Sequence, residues 1–338
     1  MTTQVNQVPI TIGLSAVVVS VMDGEACALS VSAPDAALAL PSGPFDPAHD
    51  RTFELALRAF VTAQTGFELG FVEQLYTFGD KGRDAPLADL GARSPPTRTG
   101  EPARIISVGY LALSPTLEAR GETLSASAAR WTPLGHHFPW EDWREGRPAI
   151  IDEVIAPALR RWLSQNDPRQ REGHASRIRT LFALDGARWN EERVLERYEL
   201  LYEAGLAAEA ARDRGLSTLP EAATLTRLGQ PMASDHRRIL ATGLGRLRGK
   251  LKYRPIIFDL MPPKFTLSQL QRTVESISGV ALHKQNFRRM IERTELVEGL
   301  GVMDADTGGR PAELFRFRRE VVAVRQPMGL SLPTLREN

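Results

Sequence analysis

The densest run of chemistry-bearing side chains lies near the C-terminus, between His283 and Arg293. Lys284, Gln285, Asn286, Arg288, Arg289 and Arg293 supply donors suited to guanine and adenine edges in a major groove, or to phosphates. They surround Phe287, Met290 and Ile291, whose three- and four-residue spacing forms the apolar stripe of a helix. Thr266 and Ser268 on a preceding helix start, with Gly308-Gly309-Arg310 and Arg316 downstream, join the same DNA-facing set. The pattern also fits a helical hairpin with a solvated basic face.

The elements that must position these residues are legible. Thr266 caps a helix, Gln269 at the third position returns the bond, and Phe265 staples onto Leu270, a well-formed capping box. Leu270, Val274 and Ile277 mark its buried face and Gly279 closes it. Beyond the second helix, Val297 to Met303 and Leu314 to Arg318 pair as a hairpin across Asp304 to Gly309, with Phe315 and Phe317 inward. The order helix, turn, helix, basic hairpin predicts a winged helix-turn-helix.

Charge supports that placement. The 338 residues sum to +1, yet residues 1–235 hold 23 Lys and Arg against 31 Asp and Glu, while 236–338 hold 19 against 10. A basic end tethered to an acidic remainder suits a polyanion-binding module. The single cysteine, Cys27, excludes an internal disulfide and a Cys-pair zinc site, and points to the cytoplasm. Apolar runs such as Leu14 to Val21 are too short to span a bilayer, so no membrane partner is expected. The six histidines lack metal-binding spacing, and no P-loop, nucleophile elbow or dinucleotide fingerprint occurs in the required context. No catalytic residue, metal ligand or required cofactor is assigned.

The N-terminal part reads as an α+β domain. Strands at Ala16 to Val21 and Ala26 to Val31 flank an Asp23-Gly24 turn, and a helix from Arg51 to Gln64 ends at Gly66. Further strands are expected at Val72 to Phe78, Arg104 to Leu113 and Ala129 to Leu134, with a long loop from Gly79 to Ala103. Helices follow at Ile151 to Leu163, Arg177 to Leu184, Glu191 to Arg214 and Asp235 to Leu251. The expected divisions are 8–148, a ligand-sensing domain; 149–235, a helical insertion suited to dimerisation; 236–257, a connecting helix; and 258–326, the DNA-binding domain.

Leu40-Pro41-Ser42-Gly43 followed by a helix ending in Gly66-Phe67 resembles the Nudix fold, whose signature is G-x5-E-x7-R-E-U-x-E-E-x-G-U, with U apolar. Carboxylates in that family collect on one helix face and hold divalent cations against a diphosphate. Anchored on Gly66, the paired glutamates are replaced by Ala63 and Gln64, and nothing between Arg58 and Gly66 is acidic. A cradle without its metal grip would bind a nucleotide and leave it intact.

The segments VEQLYTFGD, RIISVGYLAL, RGKLKYRPIIFDLMPPKFTLSQLQRTVE and HKQNFRRMIERTELVE with GGRPAELFRFRRE resemble the Nudix-related transcriptional regulators of NAD metabolism, the NrtR family. The inserted helices and FPWEDWREGRP look like its longer NadQ type. The resemblance implies a Nudix-like mixed-sheet sensor, a winged helix-turn-helix, and a homodimer on a palindromic double-stranded operator. It also implies repression of NAD biosynthesis or salvage genes under a NAD-related effector: ADP-ribose, NAD or ATP. Carried over residue by residue, Ser42, Gly43, Tyr76, Phe78, Asp80, Arg83 and Arg104 surround the ligand pocket. Arg83 and Arg104 would take phosphates, and Tyr76 or Phe78 would stack on a base; both aromatics equally suit a core. The family's Lys-Arg pair after the second strand is absent, since Ser30 to Ala33 stand there, and Ser42 replaces the first loop glycine. The alternatives from other classes are a pyrophosphohydrolase acting on ADP-ribose or NAD with an accessory nucleic-acid module, and a nucleotide-binding scaffold for other proteins.

Overall fold

A computed structural model describes residues 10–33, 37–80, 83, 104–115, 129–214, 227–304 and 311–319. Strand β1 (Ile10–Met22) returns as β2 (Glu25–Ser32) through Asp23 and Gly24 at φ 51° and 83°. Positive φ at both central residues matches the twist of a two-residue hairpin, which the Asp-Gly pair supplies. Short strands β3 (Leu38–Ala39) and β4 (Ser42–Pro44) lead to helix α1 (Phe53–Thr65). Thr52 caps α1 by accepting from Leu55 N, and Gly66 closes it at φ 69°. Strands β5 (Val72–Phe78), β6 (Arg104–Leu113) and β7 (Ala129–Pro133) complete a mixed sheet of order β3-β2-β1-β6-β5, with β4 beside β1 and β7 beside β2. Strands β1 and β6 run parallel.

The sheet separates two cores because β1 alternates. Leu14, Ala16 and Val18 join Leu57 and Val61 of α1, while Val17, Val19 and Val21 face the opposite side. That side carries the helices: α2 (Leu134–His137); a π-turn (Ile151–Ile155) running into α3 (Ala156–Gln165); α4 (Arg171–Leu181); α5 (Val194–Glu203); α6 (Ala208–Asp213); and α7 (His236–Tyr253). Pro157 in the first turn of α3 lacks the N–H a regular helix would use, and the wide turn precedes it. The single helix expected over Glu191 to Arg214 is two, because Gly205 adopts φ 72° and ends α5. The helix expected at Arg177 to Leu184 starts earlier, at Arg171, and stops before Ala183, itself at φ 49°.

A 3₁₀ turn (Ile256–Leu260) leads from α7 into β8 (Phe265–Thr266), α8 (Leu267–Ser278), α9 (Lys284–Thr294), β9 (Val297–Asp304) and β10 (Ala312–Phe317). The capping box is present, with Thr266 Oγ1 accepting from Gln269 N at 3.2 Å and Thr266 N donating to Gln269 Oε1 at 2.7 Å. Strand β10 pairs with both β9 and β8, so the wing is a three-stranded sheet. Phe317 stacks on Phe258 at 4.1 Å and anchors the wing to the 3₁₀ turn.

The four segments expected from sequence do not each own a core. One continuous apolar cluster runs from Val17 of the sheet through Leu159, Tyr198 and Leu244 to Ile277 and Ile291 of the winged helix. Helix α7 lies at its centre, drawn tight onto the sheet because a Cβ at Gly243 would stand 2.8 Å from Val17.

Candidate ligand site and nucleic-acid interface

The sequence-assigned ligand residues divide between the two faces of the sheet. Ser42 and Gly43 belong to β4, against α1. Gln64 clamps them, with Nε2 donating to Ser42 O at 2.6 Å and Oε1 accepting from Ser42 N at 3.1 Å. A Cβ at Gly43 would stand 2.7 Å from the Phe60 ring, so glycine is required for this approach. The other residues lie beside α7. Phe78 is 3 % exposed in the main core, beneath the Arg238 guanidinium at 5.4 Å, which removes it as a base-stacking platform. Tyr76 is 61 % exposed, edge-on to Phe78, and is the aromatic that remains available.

Arg83 is not a free phosphate donor: it makes a two-pronged pair with Glu199 at 2.9 and 2.8 Å and lies 3.7 Å over the Tyr202 ring. Arg238 contacts Glu199, Asp235 and Asp80. Arg104 is exposed and donates to Gly79 O at 2.6 Å. Bonding to Arg238, with Arg83 and Arg104 nearby, holds the Asp80 carboxyl below its usual range. Burial pushes Asp235 up to about 7 against the pull of Arg238. The result is a charge cluster at the end of β5, shared by the mixed sheet, α5 and the start of α7. Glu199, Asp235 and Arg238 are the members that sequence reasoning missed, since no local motif marks them.

Sequence reasoning also missed a second, deeper network. The Glu141 carboxylate accepts from Arg197 at 2.6 and 2.9 Å and from Arg248 at 2.5 Å, all three side chains being buried. Arg248 Nε donates to Ile277 O of α8, and Trp143 N donates to Gly279 O. Arg144 returns to the hairpin, pairing with Glu25 and donating to Gly24 O. The segment FPWEDWREGRP is therefore the joint between sheet and winged helix.

The donor set does not fit a divalent cation. Helix α1 offers Glu54 alone, already paired with Arg58 at 2.8 Å, and no described group of three or more His, Cys, Asp or Glu is arranged to hold a metal.

In the winged helix, Phe287 and Ile291 bury one face of α9, while Lys284, Gln285, Asn286, Arg288, Arg289 and Arg293 are all exposed. None of the six side chains bonds to another described residue, so their donors face solvent together. Thr266 is placed differently: it is 3 % exposed with its hydroxyl held in the cap, which withdraws it from a DNA-facing surface. Ser268 is half-buried and Arg316 is exposed, paired with Glu298 on β9. Arg310, with Gly308 and Gly309, lies outside the described residues. No described helix is long and apolar enough to cross a membrane.

Fold and site together define a class: a Nudix-like mixed sheet joined by one helix to a winged helix-turn-helix. Residues 257–317 match the NrtR DNA-binding winged helix domain. The ADPR responsive transcriptional repressor NtrR of Acinetobacter baylyi is 36 % identical over 107 residues, which are 32 % of this chain and 42 % of that protein. The chain thus matches about two fifths of that curated relative's length. The crystal structure of Shewanella oneidensis NrtR complexed with a 27mer DNA superposes with a TM-score of 0.54 at 18 % identity, over 96 % of this chain and 99 % of that one. A second crystal structure of Shewanella oneidensis NrtR gives a TM-score of 0.53 at 17 % identity, over 96 % of this chain and 100 % of that one. The resemblance to Nudix-related regulators of the NrtR family is borne out, by sequence in the winged helix and by fold along the chain.

Proposed function

We propose that the protein is a DNA-binding transcriptional repressor of NAD biosynthesis or salvage genes, controlled by a NAD-related nucleotide held in its Nudix-like part. The observation that carries this reading is the unpaired donor face of α9, joined through α7 to an arginine-rich cluster at the sensor sheet. The Acinetobacter relative's name and the DNA complex of the Shewanella structure support it. ADP-ribose is the favoured effector, ahead of NAD and ATP. The protein acts as a homodimer on a palindromic operator, and the nucleotide works by binding two conformations unequally. A hundredfold change in operator affinity requires only about 2.7 kcal/mol of such difference. It is not an enzyme, since α1 lacks the carboxylates a metal-assisted hydrolysis needs.

A gel shift on the gene's own upstream DNA, with and without ADP-ribose, NAD or ATP, tests this. A specific, salt-sensitive complex whose affinity changes with one nucleotide is expected, and Arg288→Ala with Arg289→Ala weakens it. Release of AMP from ADP-ribose and magnesium at catalytic turnover, or indifference to DNA, overturns the reading.

A further inference from the structure

Two arginines from separate parts of the chain close on the carboxylate of Glu199. Arg83, beyond the end of β5, donates from Nη1 and Nη2 to Oε1 and Oε2 at 2.9 and 2.8 Å. Arg238, in the first turn of α7, brings Nε within 2.6 Å of Oε1. The two-pronged Arg83 fork accepts a carboxylate or a phosphoryl group by the same geometry, with the Arg238 charge beside it as an ion-pair partner. The Tyr202 ring lies under Arg83, and Arg238 stands over the Phe78 ring with its Nη1 shared between Asp80 and Asp235, so both guanidiniums keep contacts besides Glu199. Arg83 and Glu199 keep 16 % and 23 % of their side-chain surface open, so solvent reaches the pair.

We propose that Arg83 and Arg238 form a binding site for a diphosphate group, with Glu199 as its internal occupant, displaced when a diphosphate-bearing nucleotide arrives. This rests on the nucleotide-controlled reading above and adds how control is transmitted. Glu199 sits on α5, two residues beyond Arg197, so the two side chains leave the helix on different faces. One face meets the sensor cluster; the other holds Glu141, and through it Arg248 and the end of α8. Exchanging Glu199 for a ligand phosphate releases α5 at its sensor end while Arg197 still ties it to the joint with the winged helix. The inserted helices then serve as the lever between nucleotide and DNA.

Calorimetric titration of ADP-ribose and of inorganic pyrophosphate into the full chain, wild type and Glu199→Gln, tests the site. Removing the competing charge should tighten ADP-ribose binding about tenfold, with Glu199→Asp, which keeps the charge at shorter reach, falling between. Without nucleotide, Glu199→Gln should bind upstream DNA with the affinity that wild type shows when saturated with ADP-ribose. Equal ADP-ribose affinity in wild type and both variants overturns the proposal and leaves the regulator reading intact. Wild-type protein that takes up neither ADP-ribose nor pyrophosphate overturns both.

Discussion

Gln64 illustrates how one side chain changes what a helix can do. It stands where a metal-gripping signature carries a glutamate, and it commits both ends of its amide to the Ser42 backbone unit. Restoring the acid by Gln64→Glu replaces the donating end with an acceptor and leaves the Ser42 carbonyl unpaired against a charge. Such a loss costs about 1–3 kcal/mol. The variant is therefore expected to melt at lower temperature than wild type and to release no AMP from ADP-ribose by chromatography. Net gain of turnover would contradict this account of α1. That nothing between Arg58 and Gly66 is acidic is legible in the sequence. The use of Gln64 as a loop clamp is not, since its partner lies 22 residues away. Phe78 and Arg83 show the same limit: residue type fits a ligand role, but contacts brought from α7 and α5 place Phe78 in the core and seat Arg83 on Glu199.

At the scale of elements, periodicity and caps carried most of the outcome. The Asp23-Gly24 hairpin, α1 with its Gly66 cap, and the capping box of α8 each depend on neighbours within a few residues, and each formed as expected. The break at Gly205 and the β8 strand of the wing were missed, because a left-handed cap and a two-residue strand leave little periodic signal. The docking of α7 and α2 depends on two histidines kept neutral. His236 Nδ1 accepts from Leu40 N at 3.0 Å, and the His137 ring bonds to Gln230 O at 3.0 Å. Burial pulls each from 6.5 down to about 4. Between those values the unfolded chain binds more protons than the folded one, so stability rises with pH and is lost as pH falls from about 6.5 to 4. Each histidine contributes a slope of at most about 1.4 kcal/mol per pH unit. Denaturant melts at pH 7, 6, 5 and 4 should show this fall, and His236→Gln should flatten it. An unchanged slope in the variant would contradict the assignment.

At the scale of the molecule, the sheet, the helices on its α7 side and the winged helix share a core and a buried ion cluster, which gives a continuous route between the two ends. Removing one partner of the Glu141, Arg197 and Arg248 cluster would leave a buried charge unmatched, a loss of about 3–5 kcal/mol. The charge split between residues 1–235 and 236–338 had marked the basic end, but no sequence pattern joined Glu141 to two arginines 56 and 107 residues further on. Coupling through such a core must be reciprocal: if a nucleotide alters DNA affinity, DNA alters nucleotide affinity by the same factor. The decisive measurement is the calorimetric affinity of ADP-ribose for the protein alone and for the protein saturated with its upstream DNA. The two dissociation constants should differ by about tenfold or more; equal constants would show that sensor and DNA reader act independently and would contradict the account.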